Sequence, residues 1–530
     1  TPQVGTISIS MTSRFLINDG QHRRAAIAEA IKMNPALKNE HISVVFYHDL
    51  GLKNSQQMFS DLNRYAIRPT KSLNILYDDR DYLSCLVREM TQELPIFNGF
   101  IEMEKTSISN RSRKLFTLSA VYHGTKALVK DIEAKMGVEY IRMEIGEPGL
   151  PAEMIGIEAE HEALLAGVGS KYPLITGIEP LTKEASRFVK AFINLDIPPM
   201  CFVPTVGSMQ GAFASFMALT QMRKDRDTIL FIDPGFPVQK MQCKVQGIRI
   251  ESFDVIDYRG KALEAKLEEV LSSGRISGMI YSNPNNPTWM CLNEEELEII
   301  GRMATKYDVI VVEDLAYLNM DFREDRSKPF EAPYQPSVAR YTNNCLHLLS
   351  GSKMFSYAGQ RIAIVAMNPA LAERCYDKFA ERYGNDGQFR RNFIFNILYV
   401  LSSGVPHSAQ YALAAMFRAA SDGRLDFVGH TREYARRAQR VKEIMVKNGF
   451  HIVYDKDCEQ EVSDGFFFTF GYKDMTGAEL MEKLLYYGIS IISLDTTGSK
   501  QQGLRVCVSF VREEQYETLR QRLEAFKAEN

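Results

Sequence analysis

The region from Met200 to Met367 alternates short apolar runs with helical patterns, and this alternation constrains the fold of the chain most. The runs are apolar on both faces, as expected of strands that helices cover on both sides. The predicted strands are Cys201–Thr205, Thr228–Asp233, Ile248–Phe253, Ile276–Ser282, Val309–Glu313, Cys345–Ser350 and Ile362–Met367. The helical patterns between them are Gly211–Gln221, Val238–Gln246, Lys261–Ser272 and Glu294–Tyr307. This order predicts an α/β, doubly wound and mainly parallel sheet, which binds ligands beyond the carboxyl ends of its strands.

Two further regions flank the predicted sheet. Residues 1 to about 125 are expected to be an N-terminal α/β segment. Its predicted strands and helices are Ile42–Tyr47, Leu73–Tyr77, Arg23–Met33 and Ser55–Tyr65. A helix is predicted at Leu118–Met136, and a second module begins near Gly137. From about Glu381 onward, long helices precede strand-like runs at Gly465–Phe470 and Leu504–Phe510, which predicts a small α+β domain.

Composition excludes several classes of protein. The 530 residues carry a formal net charge of −3, which gives no global electrostatic case for nucleic acid or an anionic membrane. No apolar run approaches the length of a membrane-spanning helix. The eight cysteines are scattered without a CxxC pair, which favours a cytoplasmic protein without a disulfide framework or a metal site. The N-terminus has no signal pattern and no initiator Met, so we expect a fragment or a processed form.

The segment Ser350-Gly351-Ser352-Lys353 follows the last apolar residues of a predicted strand, and Arg361 lies eight residues further on. A lysine just past a strand end can be held in a pocket with its amine uncharged and nucleophilic. Serine and arginine side chains suit a phosphate group. Pyridoxal phosphate requires both functions, because it forms a Schiff base with a lysine and carries a phosphate. A Ser/Gly-rich turn with a surface lysine is the alternative that this segment alone leaves open.

Other strand ends carry residues that suit the same ligand. Gly207-Ser208-Met209 opens a helix, whose exposed amides can bind phosphate, although a simple helix cap by Ser208 is the alternative. Pro234-Gly235-Phe236-Pro237 is a rigid turn whose aromatic ring can stack on a flat cofactor or pack in the core.

Polar side chains follow the next two strands. Asn286 lies in an Asn-Pro turn and can hydrogen-bond a phenolate oxygen, or it can simply form the turn. The carboxylate of Asp314 can pair with a protonated pyridine nitrogen, and Tyr317 can bond the ring's phenolic oxygen. A capping Asp and a core Tyr are the alternatives. Together these strand ends supply a phosphate site, an aromatic lid, partners for the ring oxygen and nitrogen, and an imine-forming lysine.

From about residue 138 to 530 the chain resembles fold-type I, class I/II pyridoxal-phosphate aminotransferases. The resemblance implies a seven-stranded, mainly parallel sheet and catalytic roles for Lys353, Asp314 and Tyr317. Lys353 would form the imine with the cofactor and move the proton, Asp314 would pair with the pyridine nitrogen, and Tyr317 and Asn286 would bond the phenolic oxygen. The residues that would contact the ring or its phosphate are Phe236, Gly207, Ser208, Met209, Ser350, Ser352 and Arg361.

The resemblance also implies a substrate site and a homodimer. Arg505 would grip the substrate α-carboxylate with two parallel hydrogen bonds. Gly146 would line the substrate pocket, and Tyr172 would reach the phosphate of the neighbouring subunit. Trp289, the only Trp of the chain, stands where the family usually has Gly, and it puts the loop conformation in doubt and can narrow the substrate site.

The domain boundaries implied by this resemblance are approximate. The aminotransferase module would span residues 126–530. Its large cofactor-binding domain would cover about 165–380, and its small domain would combine about 137–164 with 381–530.

Residues 8 to about 125 resemble part of the DGQHR-domain family, which includes the DNA phosphorothioate modification B component and is distantly similar to ParB-like domains. Asn18–Arg23 carries the DGQHR letters, although a turn and a helix cap are the alternative. Ser55–Phe59 and Ser109–Ser112 are supporting matches. Only part of that fold is present, so a fusion of two modules is expected.

The leading functional hypothesis is a cytoplasmic, homodimeric aminotransferase that moves an amino group between an amino acid and a 2-oxo acid. A pyridoxal-phosphate β-lyase uses much the same residues and stays open. A DNA-binding regulatory protein with a cofactor-dependent sensor domain is the alternative from a different class.

Overall fold

The structure is a computed structural model, and it describes residues 21–39, 70–77, 82–95, 97, 99–105, 107–108, 112–125 and 140–530. The chain divides into two compact units, residues 1–132 and residues 133–530. Each unit is described by itself below.

A seven-stranded sheet forms the centre of the larger unit. Its strands are β1 (Phe202–Val206), β2 (Thr228–Asp233), β3 (Arg249–Asp254), β4 (Ile276–Ser282), β5 (Ile310–Asp314), β6 (Cys345–Ser350) and β7 (Ile362–Met367). They lie in the order β1-β7-β6-β5-β4-β2-β3. The pairs within β3-β2-β4-β5-β6 are parallel, and β7 runs antiparallel to both neighbours. The predicted mainly parallel α/β sheet is therefore confirmed, with every strand within one residue of its expected position.

Helices cover both faces of this sheet, as the apolar strands require. The helices between strands are Gly207–Gln221, Pro237–Val245, Ala262–Leu271 and Glu294–Tyr307. The last begins with a capping box, in which the side chain of Asn293 accepts from the backbone N of Glu296 at 2.9 Å and Glu296 bonds back to the backbone of Asn293. The backbone of Asp308 then turns left-handed and ends the helix.

The remaining helices of this unit surround the sheet and the C-terminal domain. Those of seven or more residues are Met154–Leu165, Glu179–Ile193, Asp377–Tyr383, Asn392–Leu398 (a π-helix), His407–Ser421, Glu433–Lys447, Gly477–Tyr486 and Tyr516–Glu529. His407–Ser421 packs against Met154–Leu165 and Glu179–Ile193, and its apolar residues join the core of the large sheet.

The C-terminal region forms the small α+β arrangement that its pattern predicts. Its four antiparallel strands are β8 (Phe450–Ile452), β9 (Phe467–Tyr472), β10 (Ile492–Ser493) and β11 (Leu504–Cys507), in the order β8-β9-β11-β10. A second contact brings in a distant segment, because Ile141–Arg142 pairs in parallel with Ile489–Ser490. The segment that precedes Gly146 is thereby attached to the C-terminal region.

The smaller unit is described over part of its length. Its described helices and strands are Gln21–Met33, Lys71–Tyr77, Tyr82–Glu93, residues 118–125, Ile101–Glu102 and Phe116–Thr117. The two strands pair in parallel, and Ile75, Val87, Ile101 and Leu118 form a small core. The expected elements at 42–47 and 55–65, the loop residues 18–20, and the rest of the helix expected to reach residue 136 lie outside the described residues.

The strand predicted at Leu73–Tyr77 is wrong, because these residues belong to the helix Lys71–Tyr77. The hydroxyl of Thr70 accepts a hydrogen bond from the backbone N of Leu73 at 3.1 Å and so caps the helix. Ser72 and Ile75 are buried three positions apart, which is a helical spacing. A short apolar run cannot be assigned to strand or helix by its periodicity alone.

Within the described ranges, no helix is long and apolar enough to cross a membrane. Over the same part of the chain, no cluster of three or more His, Cys, Asp or Glu side chains is arranged to hold a metal ion.

Candidate functional site

The topology of the large sheet brings several predicted site residues to one edge. The strands β4, β5 and β6 end at Ser282, Asp314 and Ser350, and their parallel register places these ends side by side. Because β7 is antiparallel, its first residue, Ile362, pairs with Val206 at the end of β1. Arg361, Gly207, Asp314 and Lys353 therefore belong to the same edge of the sheet.

Lys353 lies on the short helix Gly351–Met354, directly after β6. Its Nζ donates a hydrogen bond to the carbonyl oxygen of Gly146 and lies 5.4 Å from the centre of the Phe466 ring. Burial lowers the pKa of Lys353 to about 8, and the positive charges of Arg361 and Arg505 act in the same direction. About a tenth of this amine is therefore uncharged at pH 7, far more than for an ordinary lysine, and the uncharged amine is the nucleophile.

Asp314 is a buried carboxyl at the end of β5. Its Oδ2 accepts a hydrogen bond from Nε2 of Gln239 at 2.9 Å, and its Oδ1 accepts one from the backbone N of Ala316 at 3.2 Å. Burial raises the pKa of Asp314 to about 6, and these two hydrogen bonds oppose the shift. No cation is among the groups that set this pKa, so among the described residues the charge of this carboxylate is not balanced by a positive partner.

Tyr317, Asn286 and Arg505 form a connected polar group. Nη1 of Arg505 donates to Oδ1 of Asn286 at 3.3 Å. Burial raises the pKa of Tyr317, while the charge of Arg505 and a hydrogen bond with Asn286 oppose that shift. Arg505 lies on β11, Asn286 lies in the loop after β4, and Tyr317 lies in the turn after β5. The C-terminal sheet therefore contributes one residue of this group.

Arg505 is buried, and one of its nitrogens has no partner. Its Nη2 donates to the carbonyl oxygen of Glu144, and its guanidinium carbon lies 4.7 Å from the centre of the Phe467 ring. Its Nε is buried without a hydrogen bond. A Cβ placed on Gly146 would lie 3.2 Å from Phe467 and 3.8 Å from Nη1 of Arg505. Gly146 therefore stands between Lys353 and a buried guanidinium that is suited to a carboxylate.

Gly207 and Arg361 form a second corner of the site. The backbone N of Gly207 donates to the carbonyl oxygen of Arg361 at 3.0 Å. A Cβ at Gly207 would lie 2.4 Å from Nη2 of Arg361, and φ of Gly207 is 66°, so only glycine fits this close approach. Ser208 and Met209 lie in the first turn of the helix that Gly207 begins. The backbone N of Ser352 donates to the hydroxyl of Ser350 at 3.2 Å. A helix N-terminus beside an arginine is an anion site.

The other predicted residues lie in different settings. Phe236 is half-buried and immediately precedes the helix Pro237–Val245. Tyr172 is 90% exposed. The contacts above connect Lys353, Gly146, Arg505, Asn286 and Tyr317 to one another; they do not connect Phe236 or Tyr172 to that group.

Three site neighbours escaped the sequence interpretation. Gln239, which bonds Asp314, lies three residues beyond Phe236 and has the sequence pattern of an ordinary helix residue. Phe466 and Phe467 read as part of a strand and its approach, yet they contact Lys353, Arg505 and Tyr317. The run of three phenylalanines after Gly465, residues 466–468, is the sequence signal that could have indicated them.

The loop at Trp289 has the backbone conformation expected of a glycine, although a tryptophan occupies the position. Its φ is 65°, so it occupies the left-handed region that favours glycine, and its backbone N donates to the carbonyl oxygen of Asn285 at 2.9 Å. The side chain is completely buried. Strain of about 1–2 kcal/mol and an unpaired indole N–H costing about 1–3 kcal/mol are set against about 4–6 kcal/mol from burying the indole. The gain is large enough to offset the two costs, so the turn keeps a left-handed backbone while it carries a tryptophan side chain.

The comparison with protein families identifies two matching regions. Residues 140–523 match the family described as aminotransferase class I and II. Residues 1–145 match the family described as DNA-sulfur modification-associated. Both resemblances expected from the sequence are confirmed.

Curated relatives are aminotransferases of low identity. The LL-diaminopimelate aminotransferase of Oleidesulfovibrio alaskensis is 28% identical over 249 residues, which are 46% of this chain and 61% of the relative. The probable aspartate aminotransferase of Methanocaldococcus jannaschii is 25% identical over 232 residues, 44% of this chain and 58% of the relative. The chain thus spans less than two thirds of the length of these relatives.

Solved structures share the fold over a longer stretch. A Thermus thermophilus aspartate aminotransferase double mutant has a TM-score of 0.59 at 20% identity, covering 77% of this chain and 95% of that one. An aminotransferase from Mycobacterium tuberculosis has a TM-score of 0.61 at 16% identity, covering 77% and 96%. At these identities the likeness establishes the fold.

Proposed function

The chain belongs to the class I and II aminotransferase family, and from that premise we propose that it moves an amino group between an amino acid and a 2-oxo acid. Lys353 is the proposed catalytic lysine, Asp314 and Tyr317 assist it, and Arg505 binds the substrate carboxylate. The single observation that carries the proposal is the position of Lys353, because its amine has a pKa of about 8 and lies against Gly146, next to the buried guanidinium of Arg505.

Aminotransferases of this class and fold depend on pyridoxal phosphate, and the residues present fit that cofactor. The phosphate would lie between Arg361 and the first turn of the helix that Gly207 begins. Asp314 is buried without a cation beside it, which suits a protonated pyridine nitrogen. Tyr317 and Asn286 would bond the ring oxygen, and Phe236 would cover the ring face.

Two serines and one helix residue complete the proposed cofactor contacts. Ser350 and Ser352, at the end of β6, would flank the phosphate, and Met209 would join Gly207 and Ser208 in the first helical turn. When bound, the cofactor withdraws electrons from the substrate's Cα and so makes its proton removable.

The protein's own residues supply orientation and proton transfer. The guanidinium of Arg505 binds the α-carboxylate, and Gly146 leaves space beside it. Nζ of Lys353 would accept the proton from the substrate Cα and donate it to the adjacent carbon of the cofactor, which its pKa of about 8 allows near neutral pH. The aromatic walls at Phe466 and Phe467 exclude water from this transfer.

A direct test measures the products that the protein forms from amino acids and 2-oxo acids. The protein is mixed with pyridoxal phosphate and then with a panel of amino acids and 2-oxo acids. We expect formation of new amino and oxo acids in equal amounts without release of ammonia. Ammonia release with each amino acid, and no transfer of the amino group, would contradict the proposal and indicate elimination instead.

We further propose a homodimer in the cytoplasm, divided into domains as the sequence indicates. Tyr172 is almost fully exposed, which suits a residue that completes a neighbouring subunit's phosphate site. The pairing of Ile141–Arg142 with Ile489–Ser490 supports a small domain that combines residues 137–164 with residues from 381 onward, beside a large domain at about 165–380. The seven cysteines from Cys201 to Cys507 form no disulfide among the described residues, which suits a reducing compartment.

A second function is proposed for residues 1–145 on the basis of their match to a DNA-sulfur modification-associated family. We infer weak DNA binding by this segment. Retention of double-stranded DNA by the full chain, falling steeply with salt, is the expected result. If DNA is retained equally after residues 1–125 are removed, the assignment is wrong.

A further inference from the structure

Trp289 combines three features that an ordinary core residue avoids. Its backbone is in the left-handed region at φ 65°. Its indole Nε1 is buried and has no hydrogen-bond partner. Its ring lies so close to Gly465 that a Cβ there would be 2.1 Å from Cε2 of the indole. Strain that persists in a folded chain indicates that the surrounding structure demands it, and such positions cluster at functional sites.

The neighbours of Trp289 belong to the proposed substrate site. The indole contacts the Tyr317 ring edge-on, with centroids 5.2 Å apart, and the Phe467 ring, with centroids 6.1 Å apart. Phe467 in turn lies under the guanidinium of Arg505 and against Gly146. Trp289 therefore supports, from behind, the aromatic wall on which Arg505 rests.

We propose that Trp289 is a positioning residue for the substrate carboxylate. It holds Phe467 and Tyr317 in place, and Phe467 thereby fixes the guanidinium of Arg505 beside Gly146. The inference rests on the proposed function, because it takes Arg505 as the group that binds the carboxylate of the amino acid or 2-oxo acid.

The turn that carries Trp289 joins the two sheets. It follows β4 of the large sheet, yet its indole belongs to the core of the C-terminal sheet, together with Phe467 and Val506. Arg505 lies on β11 of that second sheet, whereas Asn286 and Tyr317 follow strands of the first. Trp289 thus fixes the position of the site residues from the C-terminal sheet relative to those from the large sheet.

Gly465 is the partner that makes this arrangement possible. The indole Nε1 and Cζ2 would lie 2.2 and 2.4 Å from a Cβ at this position, so no side chain fits while Trp289 is present. Gly465 stands two residues before Phe467, at the approach to β9. The two residues therefore form a matched pair, and changes in them should not be additive.

The test uses the full chain and four variants: Trp289→Gly, Trp289→Phe, Gly465→Ala and the double variant Trp289→Gly/Gly465→Ala. Propionate and succinate serve as unreactive carboxylate probes in calorimetric titrations, and KM and kcat are measured with an amino donor that the wild type accepts. We expect Trp289→Gly to raise the probe Kd and the donor KM at least about tenfold, because a shift of about 1 Å in a positioning group has large effects. The value of kcat should change less than KM, because Lys353 does not contact the indole directly.

The matched variants separate positioning from simple loss of core packing. Trp289→Phe keeps an aromatic ring behind Phe467 and should retain near wild-type KM. Gly465→Ala should reproduce the KM defect by displacing the indole, and it should add nothing when Trp289 is already Gly. If Trp289→Gly lowers only the melting temperature, with Kd, KM and kcat intact, the proposal is overturned.

The fluorescence of the wild-type protein provides a test that remains available if the variants do not fold. Trp289 is the only Trp in the chain, so the intrinsic fluorescence of the wild type reports on this position alone. Saturating propionate should change its emission, and Arg505→Gln should abolish that change. Unchanged emission at saturation, with binding confirmed by calorimetry, would overturn the proposal.

The two proposals fail separately. If the wild type transaminates and the Trp289 variants behave like it, only the positioning role falls. If the wild type has no transaminase activity with added pyridoxal phosphate, the proposed function falls, while the probe titrations still decide whether Trp289 positions Arg505.

Discussion

Nζ of Lys353 donates a hydrogen bond to the carbonyl oxygen of Gly146, although 207 positions separate the two residues in the chain. The contact exists because Ile141–Arg142, just before Gly146, pairs with Ile489–Ser490 of the C-terminal region. Gly146 also adjoins Arg505, because a Cβ on Gly146 would lie 3.8 Å from Nη1 of the guanidinium. The amine of Lys353 is therefore close to that guanidinium. The amine, the glycine and the guanidinium thus form the part of the site that a substrate amino acid would enter.

The attachment of pyridoxal phosphate should depend on pH through Lys353. Only the uncharged amine attacks the aldehyde, and its pKa is about 8. The rate of attachment should therefore rise between about pH 7 and about pH 9, with its midpoint at about 8, and then level off. Stopped-flow absorbance measures the rate, and N-α-acetyl-lysine, with its higher pKa, serves as the control.

The site of attachment provides the matching chemical check. Borohydride reduction followed by peptide mass spectrometry should locate the cofactor on Lys353. Lys353→Ala should lose the reducible attachment while it keeps some affinity through the phosphate corner at Gly207 and Arg361. Attachment to a different lysine would show that the assignment is mistaken.

Much of this architecture follows from local sequence, and some of it does not. The continuous apolar runs predicted all seven strands of the large sheet, because strands buried on both faces leave that pattern. The helix Lys71–Tyr77 was predicted as a strand, because five apolar-rich residues carry too little periodicity. Strand ends of a parallel sheet meet at one edge, so the convergence of Asp314 and Lys353 was also predictable.

The residues that sequence reasoning missed act through distant contacts. Gln239 bonds Asp314 only because the helix after β2 packs beside the end of β5. The contact of Phe467 with Arg505 depends on the register between β9 and β11. Neither relationship has a local signature in the chain.

Asp314→Asn should stabilise the cofactor-free protein while it impairs catalysis. The folded pKa is raised from 3.8 to about 6, so the wild type loses stability as the pH rises from about 4 to 6, and the amide does not. At pH 8 the gain should be at most about 3 kcal/mol, and near pH 3 it should vanish. Denaturant unfolding at both pH values measures it.

Turnover of the same variant should fall at least about a hundredfold, because the pyridine nitrogen loses its charged partner. Gln239→Leu is the matched control, since it removes a neutral hydrogen bond from the carboxyl and leaves the charge. The loss of turnover in Gln239→Leu should be much smaller than in Asp314→Asn. Equal losses in the two variants would contradict the assigned role of Asp314.

Arg505→Lys should raise KM for the amino acid at least about tenfold, because one ammonium cannot form two parallel hydrogen bonds with a carboxylate. The cofactor spectrum should stay unchanged. Arg361→Lys is the comparison, and it should weaken cofactor retention instead. Steady-state kinetics and absorbance measure both. If Arg505→Lys weakens cofactor retention and Arg361→Lys raises KM, the roles assigned to the two arginines are wrong.

Tyr172→Phe should weaken cofactor retention about two- to tenfold, in line with the loss of one hydrogen bond. The hydroxyl is exposed in the single chain, so its effect requires a second subunit. Sedimentation should show a dimer for both proteins. A fully active monomer at the assay concentration would refute the role of Tyr172.

Removal of residues 1–125 should leave transamination intact. The compact unit that contains every proposed site residue begins near residue 133, and the aminotransferase match begins at residue 140. The shortened chain should bind pyridoxal phosphate and keep KM and kcat within about twofold of the full chain, since every proposed site residue lies outside the removed segment. Circular dichroism establishes that it is folded. A folded but inactive product would show that the N-terminal segment is integrated with the enzyme, and that two unrelated modules do not describe this chain.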